Sequence, residues 1–158
     1  MSAVARFAEG TAVSVEKSRA EIEALVRKHG ASEFSGGYSS VEAGFAFVIG
    51  ARRVSFSVRR PKAEDKPVAE VVRKRMARKW GQDRSAVTAD VITGEERRLW
   101  RCLLLAIKSK LETVASGIAT FDEEFLSHIV TDNGMTVIDR IRFAEANGGP
   151  RMLGPVDG

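Results

Sequence analysis

A chain of 158 residues is long enough for one domain with a real core and too short to expect two. Its 44% hydrophobic and 29% charged residues exclude general disorder. A single cysteine, Cys102, excludes an intramolecular disulfide and favours a reducing compartment. Lys and Arg exceed Asp and Glu by 25 to 21, so the overall balance is only mildly basic, at +4.

Met1 to Thr11 lacks the apolar segment of a secretion signal. The longest uninterrupted apolar run, Cys102 to Ile107, is far shorter than the roughly 20 residues that cross a bilayer. A cytoplasmic location without a membrane is therefore expected. The first predicted element is a helix from about Val15 to His29, with Ile22, Leu25, Val26 and His29 on one stripe. Ser14 is its candidate N-cap, and Gly30 ends it.

Three strands follow. Glu33 to Ser39, with Phe34 and Tyr38, is read as the first. Gly50-Ala51 is a two-residue loop of the type II′ hairpin kind. Folding there places Phe47 opposite Val54, Phe45 opposite Phe56 and Ala43 opposite Val58 on an apolar face. The other face pairs Val48 with Arg53, Ala46 with Ser55 and Gly44 with Ser57, and a one-residue slip would scramble both.

Pro61 to Lys66 reads as a charged linker, and a helix is predicted from about Pro67 to Trp80 with Val68, Val72, Met76 and Trp80 at i,i+4 spacing. Gly81 to Ile92 reads as a loop. The strongest helix signal is Gly94 to Ser116, opened by a capping box at Thr93 and Glu96 and stopped by Gly117. Trp100, Leu103, Leu104, Ile107, Leu111 and Val114 form its stripe, widened by Leu99 and Ala106. Thr120 and Glu123 make a second capping box, opening a short helix to about Ile129. Asp132-Asn133-Gly134 is a turn, and Thr136 to Asn147 a last helix. This order defines an α+β domain, residues 1–147, with the sheet packed by the Val15 and Gly94 helices. Residues 148–158, rich in glycine and proline, read as a flexible tail.

Charge is distributed unevenly. Arg52 to Lys79 holds eleven basic residues against Glu64, Asp65 and Glu70, a local +8, while the rest of the chain is −4. Such an asymmetry attracts polyanions. The candidate nucleic-acid-binding residues are Arg53 and Arg59 on the polar hairpin face, then Arg60, Lys62, Arg73, Lys74, Arg75, Arg78 and Lys79, with Trp80 (and Tyr38) able to stack on bases. Lys74 with Arg78 and Arg75 with Lys79 are like charges at i,i+4, which phosphates would offset. The competing reading is a solvated basic face with Trp80 in the core.

Thr11 to Ala31, Arg98 to Glu112 and Ile118 to Ile129, with the Gly50 hairpin, resemble a family of small proteins encoded by bacteriophages and prophages. The resemblance covers about half the chain, matches least between Lys62 and Ile92, and carries over no catalytic residue. It implies a bacterial intracellular setting, in which nucleic-acid handling and interference with host defence are both common. The order helix–strand–strand–strand–helix over Val15 to Trp80, with Lys74-Arg75-Met76-Ala77-Arg78, also resembles the double-stranded-RNA-binding domain. The basic run lies late in its helix, Gly81 follows too soon and the Gly-Pro-x-His connection is missing, so that likeness is one of architecture.

Catalytic and metal chemistry find little support. Asp122-Glu123-Glu124, with Asp132 and Asp139, offers carboxylates, but acids in a first turn ordinarily complete a cap and complement the helix dipole. The stretches Phe45 to Ile49 and Val54 to Arg59 contain no acid to hold Mg²⁺, as a restriction-type nuclease requires. Two histidines, His29 and His128, do not make a multi-histidine site, and Cys102 inside a Leu-rich helix reads as packing. Phe121 to Ile129 and Thr136 to Ala146 around the tight turn could form a helix-turn-helix presenting Arg140 and Arg142, although Asn133-Gly134 fits a hairpin equally well. The expected function is non-catalytic DNA or RNA binding, without cofactor or metal, in phage recombination, replication or regulation. The alternative is an anti-defence inhibitor or adaptor that binds a host protein complex.

Overall fold

A computed structural model describes residues 4–154. The expected tail's last four residues, and the first three of the stretch considered for a signal, lie outside the described residues. The first helix, α1 (Val15–Lys28), starts at Ser14, whose hydroxyl accepts the Lys17 N–H, and ends at Gly30. Three antiparallel strands follow in chain order: β1 (Ala31–Tyr38), β2 (Glu42–Ile49) and β3 (Arg52–Arg59). Then come α2 (Lys66–Arg78), α3 (Arg84–Ala115), α4 (Phe121–Phe125) with a 3₁₀ turn at Leu126–His128, and α5 (Val137–Ala146). The α+β order of helix, sheet and several helices is the one expected.

The hairpin register is the one read from the sequence, from Ala43↔Val58 through Phe45↔Phe56 to Phe47↔Val54. Gly50 has φ +59, as the first position of a II′ turn demands. Alternation puts Ala43, Phe45, Phe47, Val54 and Phe56 on one face, where they are buried with Ile22 and Val26 of α1 and Trp100, Ile107 and Leu111 of α3. Two helices therefore cover the apolar side. Phe125 closes the same core, edge-on to Phe47 and Phe56. Ile129 bridges to Val54, so the segment after the 3₁₀ turn extends the sheet beside β3.

Several expectations are corrected. Gly81 to Ile92 is not a loop: α3 begins at Arg84, with Asp83 as N-cap accepting the Ser85 N–H, and runs unbroken for 32 residues. Thr93 consequently caps nothing, and its hydroxyl donates to the Ala89 carbonyl one turn back. The reason is tertiary. Val87 and Val91 gain a surface to bury against Val68 and Val72 of α2, forming a second cluster separate from the sheet's core. A run of β-branched residues that would not sustain a helix alone is held in one by that contact. Trp80 does not continue the Val68–Val72–Met76 stripe; it lies past the end of α2 and is fully exposed. Ala106 is also exposed.

No helix-turn-helix forms at the C-terminal end. Asp132 to Gly134 is the turn of a small β-bridge between Val130 and Thr136. Arg140 pairs with Asp132 and Arg142 with Asp139, so neither is presented as a free reader. Beyond α5, the Met152 and Leu153 N–H groups donate to one Glu145 carboxylate oxygen, tying the described part of the expected tail to the helix.

Candidate nucleic-acid interface

The α2–α3 pair positions most of the basic segment. One face of α2, Val68 and Val72 with Val71 and Met76, packs on Val87, Val91 and Ile92. Helical geometry then turns Arg73 and Lys74 outward, and Arg73, Lys74, Arg78 and Lys79 are all exposed. The pair is an arm more than a second layer. At 1.5 Å per residue, Arg84 lies about 24 Å along the α3 axis from the core residue Trp100.

The arm's tip is tied down by its own side chains. Lys79 leaves α2 in extended conformation and Gly81 turns the chain with φ +80, a value that favours glycine. The Gln82 side-chain amide donates to the Arg75 carbonyl at 3.3 Å and the Lys79 carbonyl at 3.1 Å, satisfying acceptors that α2 leaves open. Asp83 caps α3 from the other side. Between them Trp80 stands in solvent, with the exposed Arg78 and Lys79 before it in the chain and the exposed Arg84 four residues after it.

The eleven cations divide sharply by partner. Arg52 binds Asp122 through two hydrogen bonds of 2.8 and 2.6 Å, holding that carboxyl below its ordinary range. Arg53 meets Glu33 at 3.6 Å across the outer sheet face. Arg59 meets Asp65 at 2.7 Å; its hydrogen bond, with one from the Lys62 backbone, lowers the Asp65 pKa. Arg60 meets Glu96 at 3.3 Å, and Arg75 is paired with Asp90. Among the described residues, the side chains of Lys62, Lys66, Arg73, Lys74, Arg78 and Lys79 have no acid or hydrogen-bond partner. Four of these six gather on the C-terminal half of α2 and its tip.

The candidate set is thus brought together only in part. Arg53, Arg59 and Arg60 stand on or beside the sheet with acids in attendance, whereas Arg73, Lys74, Arg78, Lys79 and Trp80 are all exposed on the second half of α2 and the turn that follows it. Of the two like-charge pairs expected, only Lys74 with Arg78 persists, because Asp90 takes Arg75 and Lys79 lies outside the helix. Tyr38 is engaged: the Arg19 guanidinium sits 5.0 Å from its ring centre and donates to its hydroxyl at 2.9 Å. Arg84 and Gln82 belong to the site and were missed. Asp83 as an N-cap ahead of Val87 and Val91 at i,i+4 was the signal for them.

The acidic residues are structurally committed. Asp122 holds Arg52, Glu123 closes the Thr120 capping box, and Glu124 faces Lys110 at 3.6 Å. Bonds from the Thr120 backbone and hydroxyl lower the Glu123 pKa. The sheet does carry acids on its outer face, Glu33 in β1 and Glu42 at the start of β2. Glu33 faces Arg53, and Glu42 accepts the Ser57 hydroxyl at 2.7 Å. Among the described residues no group of three or more His, Cys, Asp or Glu is placed to hold a metal ion. Half-buried His128 stacks on Phe56 at 4.1 Å, and Cys102 contacts Arg98. No described helix is long and apolar enough to cross a membrane.

These features define an α+β protein with a basic helical arm. No family model, curated protein or solved structure matches the chain.

Proposed function

We propose that this protein binds nucleic acid without catalysis, through the C-terminal half of α2 and the α2–α3 tip. The observation that carries the reading is the exposed group Arg73, Lys74, Arg78 and Lys79, with no acid partner among the described residues. Cations in a helix's last turn complement its dipole, worth about 0.3–1 kcal/mol each. That accounts for Arg78. It does not account for Arg73 and Lys74, which lie a turn earlier, where Lys74 and Arg78 repel each other. A polyanion offsets the repulsion and releases counterions as it binds. The bacterial intracellular setting that the resemblance to phage and prophage proteins implies would suit a cytoplasmic role in phage recombination, replication or regulation.

Changing Arg73, Lys74, Arg78 and Lys79 together to Gln tests the reading. Folding should be nearly unchanged, since all four are exposed. Affinity for duplex DNA should fall, and the log–log salt slope should flatten by roughly 3–4 units if about four phosphate contacts are lost. Wild-type protein that binds no oligonucleotide at low salt would sink the proposal. Metal-dependent cleavage abolished by Asp122→Asn would overturn the non-catalytic part.

A second reading, an inhibitor or adaptor acting on a host complex, draws on β1. That strand pairs with β2 on one side only, and its other edge offers backbone groups to an added strand. Proline substitution at Gly36, whose N–H faces away from β2, should then abolish capture of the partner while leaving oligonucleotide binding intact.

A further inference from the structure

We propose that the α2–α3 tip is a single-strand contact, in which the Trp80 indole stacks on an unpaired base while Arg78, Lys79 and Arg84 hold the flanking phosphates. The inference rests on the nucleic-acid reading above and narrows it to a substrate class. Tryptophan is among the largest apolar side chains, and here it is fully exposed on a turn rather than packed on either core. Its presentation is built: Gly81 supplies the reversal, and Gln82 and Asp83 occupy the helix-end groups on both sides. A held turn loses less freedom on binding than a loose one.

The surroundings select the partner. Three cations, Arg78, Lys79 and Arg84, lie within four residues of Trp80 along the chain against one acid, Asp83, which caps α3, and the nearest apolar cluster, around Val72 and Met76, is already covered by α3. One indole amid guanidinium and ammonium groups lacks the apolar area of a protein interface core. In an intact duplex the base faces are hidden in the stack, so a ring needing a flat π-surface finds it only where bases are unpaired. Phosphates beside such a base are within reach of cations one to four residues from Trp80. Single-stranded nucleic acid supplies both features at once.

The test compares wild type with Trp80→Ala and Trp80→Phe on a labelled oligo(dT) of about 20 nucleotides and on a blunt duplex of equal length. Trp80→Ala should weaken oligo(dT) binding about tenfold and duplex binding less than about twofold, with Trp80→Phe close to wild type. Indole fluorescence should be quenched by oligo(dT) in wild type and not in Trp80→Phe, because the remaining indole, Trp100, is fully buried. Equal losses on both probes, or no loss on oligo(dT), overturn the single-strand assignment. If the four α2 substitutions abolish binding while Trp80→Ala does not alter it, this inference fails and the broader reading stands. Trp80-dependent binding to phosphatidylserine vesicles with unchanged oligo(dT) affinity would assign the tip to an anionic membrane surface instead.

Discussion

The rings of Phe45 and Phe56 lie 5.6 Å apart across the β2–β3 pair, inclined by 20°. Phe45 also touches Trp100 of α3, at 5.9 Å between centres, so one cross-strand pair links the sheet to the helix that carries the arm. Phe56→Ala should cost about 3–5 kcal/mol, as large-to-small core changes do. Ser55→Ala, one residue away on the other face, should cost under about 1 kcal/mol. Urea melts of the two variants measure the difference, and comparable losses would mean that the facing is wrong.

Gly94 sits in the middle of α3, and a β-carbon there would meet nothing within 4 Å. Gly94→Ala should raise stability by about 0.5–1 kcal/mol, by reducing the freedom of the unfolded chain. Thr93→Ala should be close to neutral, because its hydroxyl only bonds back to Ala89. Thr120→Ala, which removes a true cap, should lose about 1 kcal/mol. Thermal or chemical denaturation ranks the three. A large loss at Thr93 would place the helix start there after all.

Burial lowers the His128 pKa below 6.5, aided by the Lys110 charge and opposed by the Ser55 backbone bond and Asp139. The folded protein therefore resists a proton that the unfolded chain accepts. The contribution is fully present above about pH 6.5 and is lost as pH falls through the lowered folded value. His128→Phe keeps a ring against Phe56 and removes the titration. Its stability should decline less than that of wild type between about pH 7 and pH 5. Parallel pH profiles would show that His128 is not the group responsible.

Arg53, Arg59 and Arg60 each face a carboxylate, so they enter any complex already compensated. Replacing these three by Gln should change the salt slope of DNA binding by less than about one unit, against the roughly 3–4 expected for the α2 set. The arginine side of each pair is exposed, and pairs open to solvent contribute about 0–1 kcal/mol each, so stability should change little, least at Arg53, whose Glu33 partner is also exposed. Equal slope changes for the two sets would spread the interface across the sheet.

Strand register was legible because its determinants are local: a two-residue loop fixes the alignment, and a period of two separates Phe45, Phe47, Val54 and Phe56 from Ser55, Ser57 and Arg53. The cap at Thr120 was legible for the same reason. The identical motif at Thr93 misled, since a motif cannot report that the residues before it are already helical. That depended on Val87 and Val91 finding Val68 and Val72, which lie nineteen residues back along the chain.

The position of the basic segment along the chain, its net charge and the outward set on α2 follow from the sequence alone, because composition and helical period need no partner. Which cations remain uncompensated follows only from the tertiary structure. Arg52 is neutralised by a carboxylate 70 residues away and Arg75 by one 15 residues away, and neither separation has a local signature. Trp80 turned on the same kind of distinction. Its spacing placed it on a buried stripe, but α2 ends two residues earlier, and a side chain beyond the last turn no longer follows the helix's face.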